Sequence, residues 1–294
     1  CYPPGILLGC TWNPEVIRKV GEALGLECCV YGVHFLLGPN VNILRDPRNG
    51  RLFEGYSEDP CVVSKLAPEI VKGIQSYGVS ATVKHYAANS QETNRLEVDE
   101  VVSKRALREI YLKPFELAVK LANPWTVMSS YNRLNGPYTQ EDYELLTTVL
   151  RDEWGFKGIV MTDWTGPRTT AAQIHAGNDV LCPGDDKHVA DIISDVKSGR
   201  LSMGDVDKAV KRMLQYIVRT PHFRGYAFSN NPELAEHAAI TRQSATEGMV
   251  LLKNSANTLP MSGVKTVALF GSQSYAFMSC GLGSGCVNTK HVVD

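Results

Sequence analysis

Three observations in this 294-residue chain predict a parallel α/β fold. Short apolar runs alternate with amphipathic helical stretches, and the runs end in polar clusters. One run, Gly158-Ile-Val-Met-Thr-Asp163-Trp164, passes from apolar strand straight into a carboxylate and an indole. Ile159, Val160 and Met161 read as a strand buried on both faces, as in a sheet covered by helices. In a parallel α/β barrel the end of such a strand is the face where chemistry is done, which makes Asp163 a candidate catalytic acid. The competing reading is a helix N-cap ahead of Gly166-Pro167, because Asp is a favoured cap residue.

The elements follow in order. Pro14 to Tyr31 reads as a helix, with Pro14 suited to the first turn and Val16, Val20, Ala23 and Leu24 on one stripe. Val33 to Leu37 is a short buried strand leading into a long loop, 38–59, of the length that usually carries function. Pro60 to Tyr77 is a helix that begins at Glu58-Asp59-Pro60, with Val63, Leu66, Ile70 and Ile74 facing inward. Ala81 to Val83 is a strand ending in Lys84-His85-Tyr86. Val101 to Ala122 reads as one helix, and Thr126 to Met128 as a strand ending in Ser129-Ser130-Tyr131-Asn132. Asp142 to Trp154 is helical, Thr169 to Ala176 is a short helix closed by Gly177, and Val180-Leu181 is a further strand. Helices at 189–198 and 203–218 complete the alternation. About five strands are visible, against the eight of a closed barrel. After Thr220-Pro221 the texture changes: 222–231 reads as a linker, 232–253 as a long helix, and Lys265 to Gly271 as the first strand of a second α/β unit.

Composition narrows the class. The chain is 44% hydrophobic and 21% charged, with a net charge of −1. That is an ordinary globular composition, and it gives no support to a polyanionic partner such as nucleic acid or to an anionic membrane surface. No apolar run reaches the ~20 residues of a membrane span. The eight cysteines form no CxxC pair, and Cys28 and Cys29 are adjacent. This is neither zinc spacing nor a disulfide framework, and dispersed thiols favour a reducing, cytoplasmic compartment. The chain starts at Cys1 without Met, and Tyr2-Pro3-Pro4 reads as mid-protein sequence, so a piece of a longer protein is expected.

Each polar cluster admits more than one role. The loop Arg45-Asp46-Pro47-Arg48-Asn49-Gly50-Arg51-Leu52-Phe53-Glu54-Gly55 is either a set of internal ion pairs or a recognition surface for hydroxyl groups, with Asp accepting and Arg donating. Lys84-His85 reads as a Schiff-base lysine with a proton shuttle, as donors to substrate hydroxyls, or as partners of Asp46 or Asp163. Met128 and Tyr131 are either packing or, for Tyr131, a hydroxyl beside a carboxylate. Trp164 is core or a flat wall for a sugar ring. Gly281-Leu-Gly283-Ser-Gly285 lacks the Lys-Ser/Thr of a phosphate loop.

Taken together, these segments resemble the family 3 glycoside hydrolases, the β-glucosidase-like enzymes. The resemblance rests on Cys1-Tyr-Pro-Pro4 with Thr11-Trp12-Asn13, on Gly38-Pro39-Asn40-Val41-Asn42-Ile43, and on Gly50-Arg51-Leu52-Phe53-Glu54-Gly55-Tyr56-Ser57-Glu58-Asp59-Pro60. Lys84-His85-Tyr86 with Asn89 and Gln91-Glu92, Met128-Ser-Ser-Tyr131-Asn132, and Gly158 to Trp164 follow in the family's order. Gly248-Met-Val-Leu-Leu-Lys253-Asn254 with Leu259-Pro260 matches the family's second domain. The resemblance implies a (β/α)8 TIM barrel, incomplete at its N-terminus, followed by the start of an α/β sandwich. The implied boundaries are 1–220 for the barrel, 221–260 for linker and connecting helix, and 261–294 for the sandwich.

It also implies roles. Asp163 matches the catalytic nucleophile. Arg51, Lys84 and His85 match residues that hold hydroxyls of the terminal sugar, and Met128, Tyr131 and Trp164 match the pocket wall. Asp46 lies where relatives vary and is kept as a substrate-binding candidate. The family's Asp-Gly-Pro strand and its Glu acid/base are expected outside this chain. The loop Lys84-His-Tyr-Ala-Ala-Asn-Ser-Gln91 lacks the second His of the bacterial β-N-acetylhexosaminidase branch.

The expected chemistry is double displacement on a β-glucoside or short β-linked oligosaccharide, with no metal or organic cofactor. Arg51, Lys84 and His85 are expected to favour the charged form of Asp163, and Tyr131 to donate to it. Alternatives are a β-xylosidase or glycoside phosphorylase of the same family, a Schiff-base lyase using Lys84, and a non-catalytic sugar-binding fragment. A homo-oligomeric assembly is left open.

Overall fold

A computed structural model describes residues 1–165 and 168–274. The chain begins with helices α1 (Gly5–Cys10) and α2 (Pro14–Val30), followed by strand β1 (Phe35–Leu36) and helix α3 (Pro60–Gln75). Strand β2 (Ser80–Tyr86) precedes a short strand β3 (Asp99–Glu100). The helices α4 (Lys104–Ala106) and α5 (Lys113–Ala122) lead to β4 (Thr126–Ser129) and β5 (Arg133–Leu134). A π-helix spans Glu144–Glu153, and β6 (Ile159–Thr162) follows it. Helices α6 (Thr170–Ala176), α7 (Asp186–Ser198), α8 (Met203–Ile217) and α9 (Leu234–Gly248) follow.

The main sheet is parallel throughout, in the order β1-β2-β4-β6. Sequential strands are neighbours and each pair is joined through helix, the right arrangement for βαβ units. β2, β4 and β6 are almost wholly buried, as expected for strands of a parallel sheet covered on both faces, although β2 carries Lys84 and His85 near its exit. The register Thr126↔Ile159 to Ser129↔Thr162 brings the ends of β4 and β6 level, so Asp163 leaves the sheet one residue beyond Ser129. β3 and β5 form a separate two-stranded ribbon.

On the outside, α2 packs against α3 through glycine. A Cβ at Gly73 would lie 2.5 Å from the Arg18 carbonyl, and one at Gly21 would lie 2.6 Å from that of Ile70. The helices can approach this closely only because both faces lack side chains there. Their apolar residues, among them Ile17, Val20, Val63, Leu66, Ile70 and Ile74, then join the core over β2. Asn13 and Asp59 cap the two helices with their side chains, and proline opens each.

Several expectations are corrected. The single helix over 101–122 is broken: Ser103 caps α4, a π-turn covers Leu107–Tyr111, and α5 restarts at Lys113 with Pro114 in its first turn. Pro114 has no N–H to continue an α-ladder, and the Leu112 amide reaches back five residues to the Leu107 carbonyl instead. Lys84 and His85 lie within β2 rather than beyond it, at a register irregularity between Val83 and Tyr86. Val180-Leu181 contributes only a bridge from Val180 to Met161, because the Thr162 hydroxyl takes the next amide, Cys182, and Pro183 follows. Helix α9 ends at Gly248, five residues short of the expected 253; at Gly248 a Cβ would lie 2.5 Å from the Leu7 carbonyl. Residues 265–271, expected as a strand, are not in strand conformation. Gly281 to Gly285 lie outside the described residues.

Candidate active site

The exits of β2, β4 and β6, with the loop before α3, bring one cluster together. Asp163 is 8% exposed. Its amide donates to the Ser129 carbonyl at 3.0 Å, which fixes the residue at the sheet's end. Its Oδ1 accepts from the Trp164 amide at 2.8 Å. Its Oδ2 has no well-formed hydrogen bond, although it is shielded from solvent. The cap reading is not borne out for α6, whose N-cap position is held by Thr169, with no side-chain cap bond, rather than by Asp163.

Around Oδ2 stand the groups expected from the sequence. His85 Nε2 is 3.6 Å away. Arg51 Nη2 is 3.1 Å from the same Nε2, and its guanidinium forms a fork on Glu54 at 2.8 and 2.9 Å. Lys84 Nζ lies 3.6 Å from the Glu54 carboxylate. Tyr131, just past β4, interacts with the Asp163 carboxylate, and the Arg95 guanidinium sits 4.9 Å from the centre of its ring. Trp164 is 38% exposed beside the carboxylate, an apolar wall open to a ligand.

The electrostatics differ from the sequence expectation in two ways. Burial raises the Asp163 carboxyl above its usual range, and it outweighs the Trp164 amide, Arg51, Tyr131 and Lys84, which all favour the ionised form. His85 is not a cation. Burial, then Arg51, Lys84 and Arg95, hold it well below the ordinary histidine value. Burial also depresses Lys84, against the pull of Glu54. For Arg51, burial opposes the charge but the Glu54 fork prevails. Burial, with the Asp163 charge behind it, pushes the Tyr131 phenol up to about 12. The Cys182 thiol, also beside Asp163, is pushed up to about 11 by burial and then by that charge.

Two candidates fall outside the cluster's contacts. Asp46 spends its carboxylate on Arg48, at 2.7 Å, on the exposed part of the loop. Met128 is 2% exposed within β4, where its register partner is Met161. Conversely, Glu54, Arg95 and Asn42 emerge only from the structure. Glu54 lies within a quoted motif, but three residues' separation from Arg51 and the length of the loop hid its reach to Lys84. Asn42 binds the His85 backbone in both directions, donating to its carbonyl at 2.8 Å and accepting from its amide at 2.9 Å. Among the described residues, no group of three or more His, Cys, Asp or Glu is placed to hold a metal ion. Nor is any helix there long and apolar enough to cross a membrane.

A buried carboxylate with one unpartnered oxygen, ringed by Arg, Lys and Tyr and walled by Trp, suits attack on an electrophilic carbon of a polyhydroxylated ligand. Comparison with known proteins agrees. The chain is 41% identical to beta-glucosidase B of Emericella nidulans over 301 residues, covering 100% of this chain and 36% of that protein. It is 44% identical to an exo-alpha-(1->6)-L-arabinopyranosidase of Bifidobacterium breve, covering 89% of this chain and 34% of that one. The solved structure of beta-glucosidase 3B from Thermotoga neapolitana in complex with alpha-D-glucose superposes with a TM-score of 0.94 at 45% identity, over 98% of this chain and 41% of that one. The chain thus spans little more than a third of the length of the curated relatives it matches. The model of the glycosyl hydrolase family 3 N terminal domain matches residues 1–216, and the chain belongs to that family.

Proposed function

We propose that this chain carries the nucleophile-bearing part of a retaining, exo-acting β-glycosidase, a β-glucosidase that removes terminal β-D-glucosyl residues. The observation that carries the reading is the unpartnered Oδ2 of buried Asp163 among Arg51, Lys84 and Tyr131. On this reading the parallel sheet is part of a (β/α)8 barrel over residues 1–220. Residues 221–260 form the linker and connecting helix, and 261–294 begin an α/β sandwich.

In the first step Asp163 Oδ2 attacks the anomeric carbon. The glycosidic C–O bond breaks, and the leaving oxygen takes a proton from a carboxylic acid that the family resemblance assigns to the second domain. In the second step water attacks the glycosyl-enzyme, gives its proton to the same carboxylate, and frees Asp163. Arg51, Lys84 and His85 hold sugar hydroxyls, and Trp164 and Tyr131 bound the ring. Two inversions give overall retention. The test is to follow hydrolysis of an aryl β-glucoside by the full-length protein with proton NMR. β-Glucose as the first-formed anomer is expected; α-glucose first, or no turnover of any β-glycoside, would overturn the reading.

A second reading is favoured by the Bifidobacterium breve relative, named for α-L-arabinopyranoside hydrolysis. A pentopyranose lacks the exocyclic hydroxymethyl group, so the ratio of kcat/KM on aryl β-glucoside and aryl α-L-arabinopyranoside separates the two.

A further inference from the structure

His85 is buried, and its ring nitrogens meet two partners whose chemistry is fixed independently. Asn42 is itself buried, and its amide cannot be reversed: Nδ2 donates to the His85 carbonyl at 2.8 Å while Oδ1 accepts from the His85 amide at 2.9 Å. The same Oδ1 stands 3.3 Å from His85 Nδ1. A carbonyl oxygen accepts only, so Nδ1 must carry the hydrogen. On the other side of the ring, Arg51 Nη2 stands 3.1 Å from Nε2. A guanidinium donates only, so Nε2 must present its lone pair. Both contacts select the same tautomer, and each would become a like-with-like clash in the other.

From this we propose that Asn42 is a positioning residue that fixes His85 as the neutral Nδ1–H tautomer, and thereby keeps Nε2 from donating to Asp163. The inference rests on the reading of Asp163 as nucleophile. Nε2 lies 3.6 Å from Oδ2. A hydrogen there would turn to the carboxylate, occupy the lone pair that attacks the sugar and lower its reactivity. With the lone pair outward, Nε2 accepts from Arg51 or from an incoming sugar hydroxyl, and Oδ2 stays unpartnered. The site sits in the irregular part of β2, between Val83 and Tyr86, where the ring's direction is not imposed by regular strand pairing. Asn42 supplies that constraint from the neighbouring loop, itself held by a bond from its backbone N–H to Asn40 Oδ1 at 3.0 Å.

The charged groups facing His85 all bear on its protonation. Arg51, Lys84 and Arg95 disfavour the imidazolium, and Asp163 favours it. Asn42 is neutral and leaves that balance alone. In Asn42→Asp a carboxylate would face Nδ1–H and stabilise a doubly protonated ring, which carries its second hydrogen on Nε2 towards Asp163.

The test uses the full-length protein with 15N-labelled histidine. The His85 signals, assigned by their loss in His85→Gln, should show a protonated Nδ1 and an unprotonated Nε2 from pH 5 to 8. A protonated Nε2 at neutral pH would overturn the proposal. Asn42→Asp should then titrate within that range, and its kcat/KM should fall by about 100-fold towards acid pH while recovering at alkaline pH. A loss that is uniform across pH would mean that Asn42 only supports the loop, and would equally overturn it. The NMR result does not depend on turnover, so a failure of the β-glycosidase reading would leave it intact and be separately visible.

Discussion

Two buried aspartates stand near opposite ends of β6, and their surroundings differ in one respect. The Asp179 carboxylate is fully buried, and both oxygens are engaged: Oδ2 accepts from the Val160 amide and from Arg151, both at 2.8 Å, and Oδ1 from Arg212 at 2.7 Å. Asp163 has one backbone donor on Oδ1 and none on Oδ2. Burial is common to both, so burial does not mark the site. The unfinished hydrogen bonding does. A carboxylate that has spent its lone pairs locks β6 to α8 and to the π-helix before it; one that has not can still react.

The largest expected effect is on chemistry. Asp163→Asn in the full-length protein should lower kcat on an aryl β-glucoside by about 1,000-fold or more, the scale of losing a nucleophile, while the fold survives by circular dichroism. Next is the structural partner. Asp179→Asn leaves the buried Arg151 and the partly buried Arg212 without their counter-charge, and should cost about 3 kcal/mol in denaturant unfolding. Its activity per folded molecule should stay close to that of the parent. If instead Asp179→Asn abolished turnover in a well-folded protein, the division between the two acids would collapse.

Glu54 comes third. It holds both Arg51 and Lys84, and Glu54→Gln gives up one charged partner for each. Bonds to charged groups are worth about 1.5–3 kcal/mol, so kcat/KM should fall about 10- to 100-fold, mostly through KM. An unchanged KM would remove Glu54 from the sugar-holding machinery.

A smaller effect separates the acids by pH. Burial raises the Asp163 carboxyl above 3.8, its value when exposed. An acid raised on folding binds its proton more tightly in the folded state, so its charge destabilises the fold. The penalty is absent below the unfolded value and grows as pH rises, becoming complete above the folded one. Asp163→Asn should therefore melt higher than the parent at pH 7, with the gap closing as the pH falls towards about 4 and absent below it. A gap that widened in acid would reverse the assignment of burial as the dominant cause. The smallest effect is expected at Asp46, whose pair with Arg48 is exposed and screened by solvent: Asp46→Asn should change neither stability nor kcat/KM appreciably.

The contrast was only half legible in the sequence. The apolar run 159–161 and the acid after it placed Asp163 at a sheet's end, because strand periodicity and burial are local properties of the chain. The same logic located Lys84, Tyr131 and Trp164 near that end. What sequence could not carry was pairing. Glu54 and Lys84 are 30 positions apart, and Asn42 and His85 are 43 apart, so their union depends on how a long loop lies against β2. The charge state of His85 was misjudged for the same reason: a histidine beside an acid reads as a cation until its burial and its neighbouring guanidinium are seen. Likewise the break in the 101–122 helix follows from Pro114, a local signal that the apolar periodicity across this segment masks.

The central claim is that Asp163, and not another buried acid, forms the covalent intermediate. It is tested most directly by incubating the full-length protein with an activated 2-deoxy-2-fluoro-β-glucoside and mapping the trapped adduct by peptide mass spectrometry. A single fluoroglucosyl adduct on Asp163, with turnover lost in proportion, is expected. An adduct on any other residue, or an active enzyme that turns over β-glucosides without ever being labelled, would contradict it.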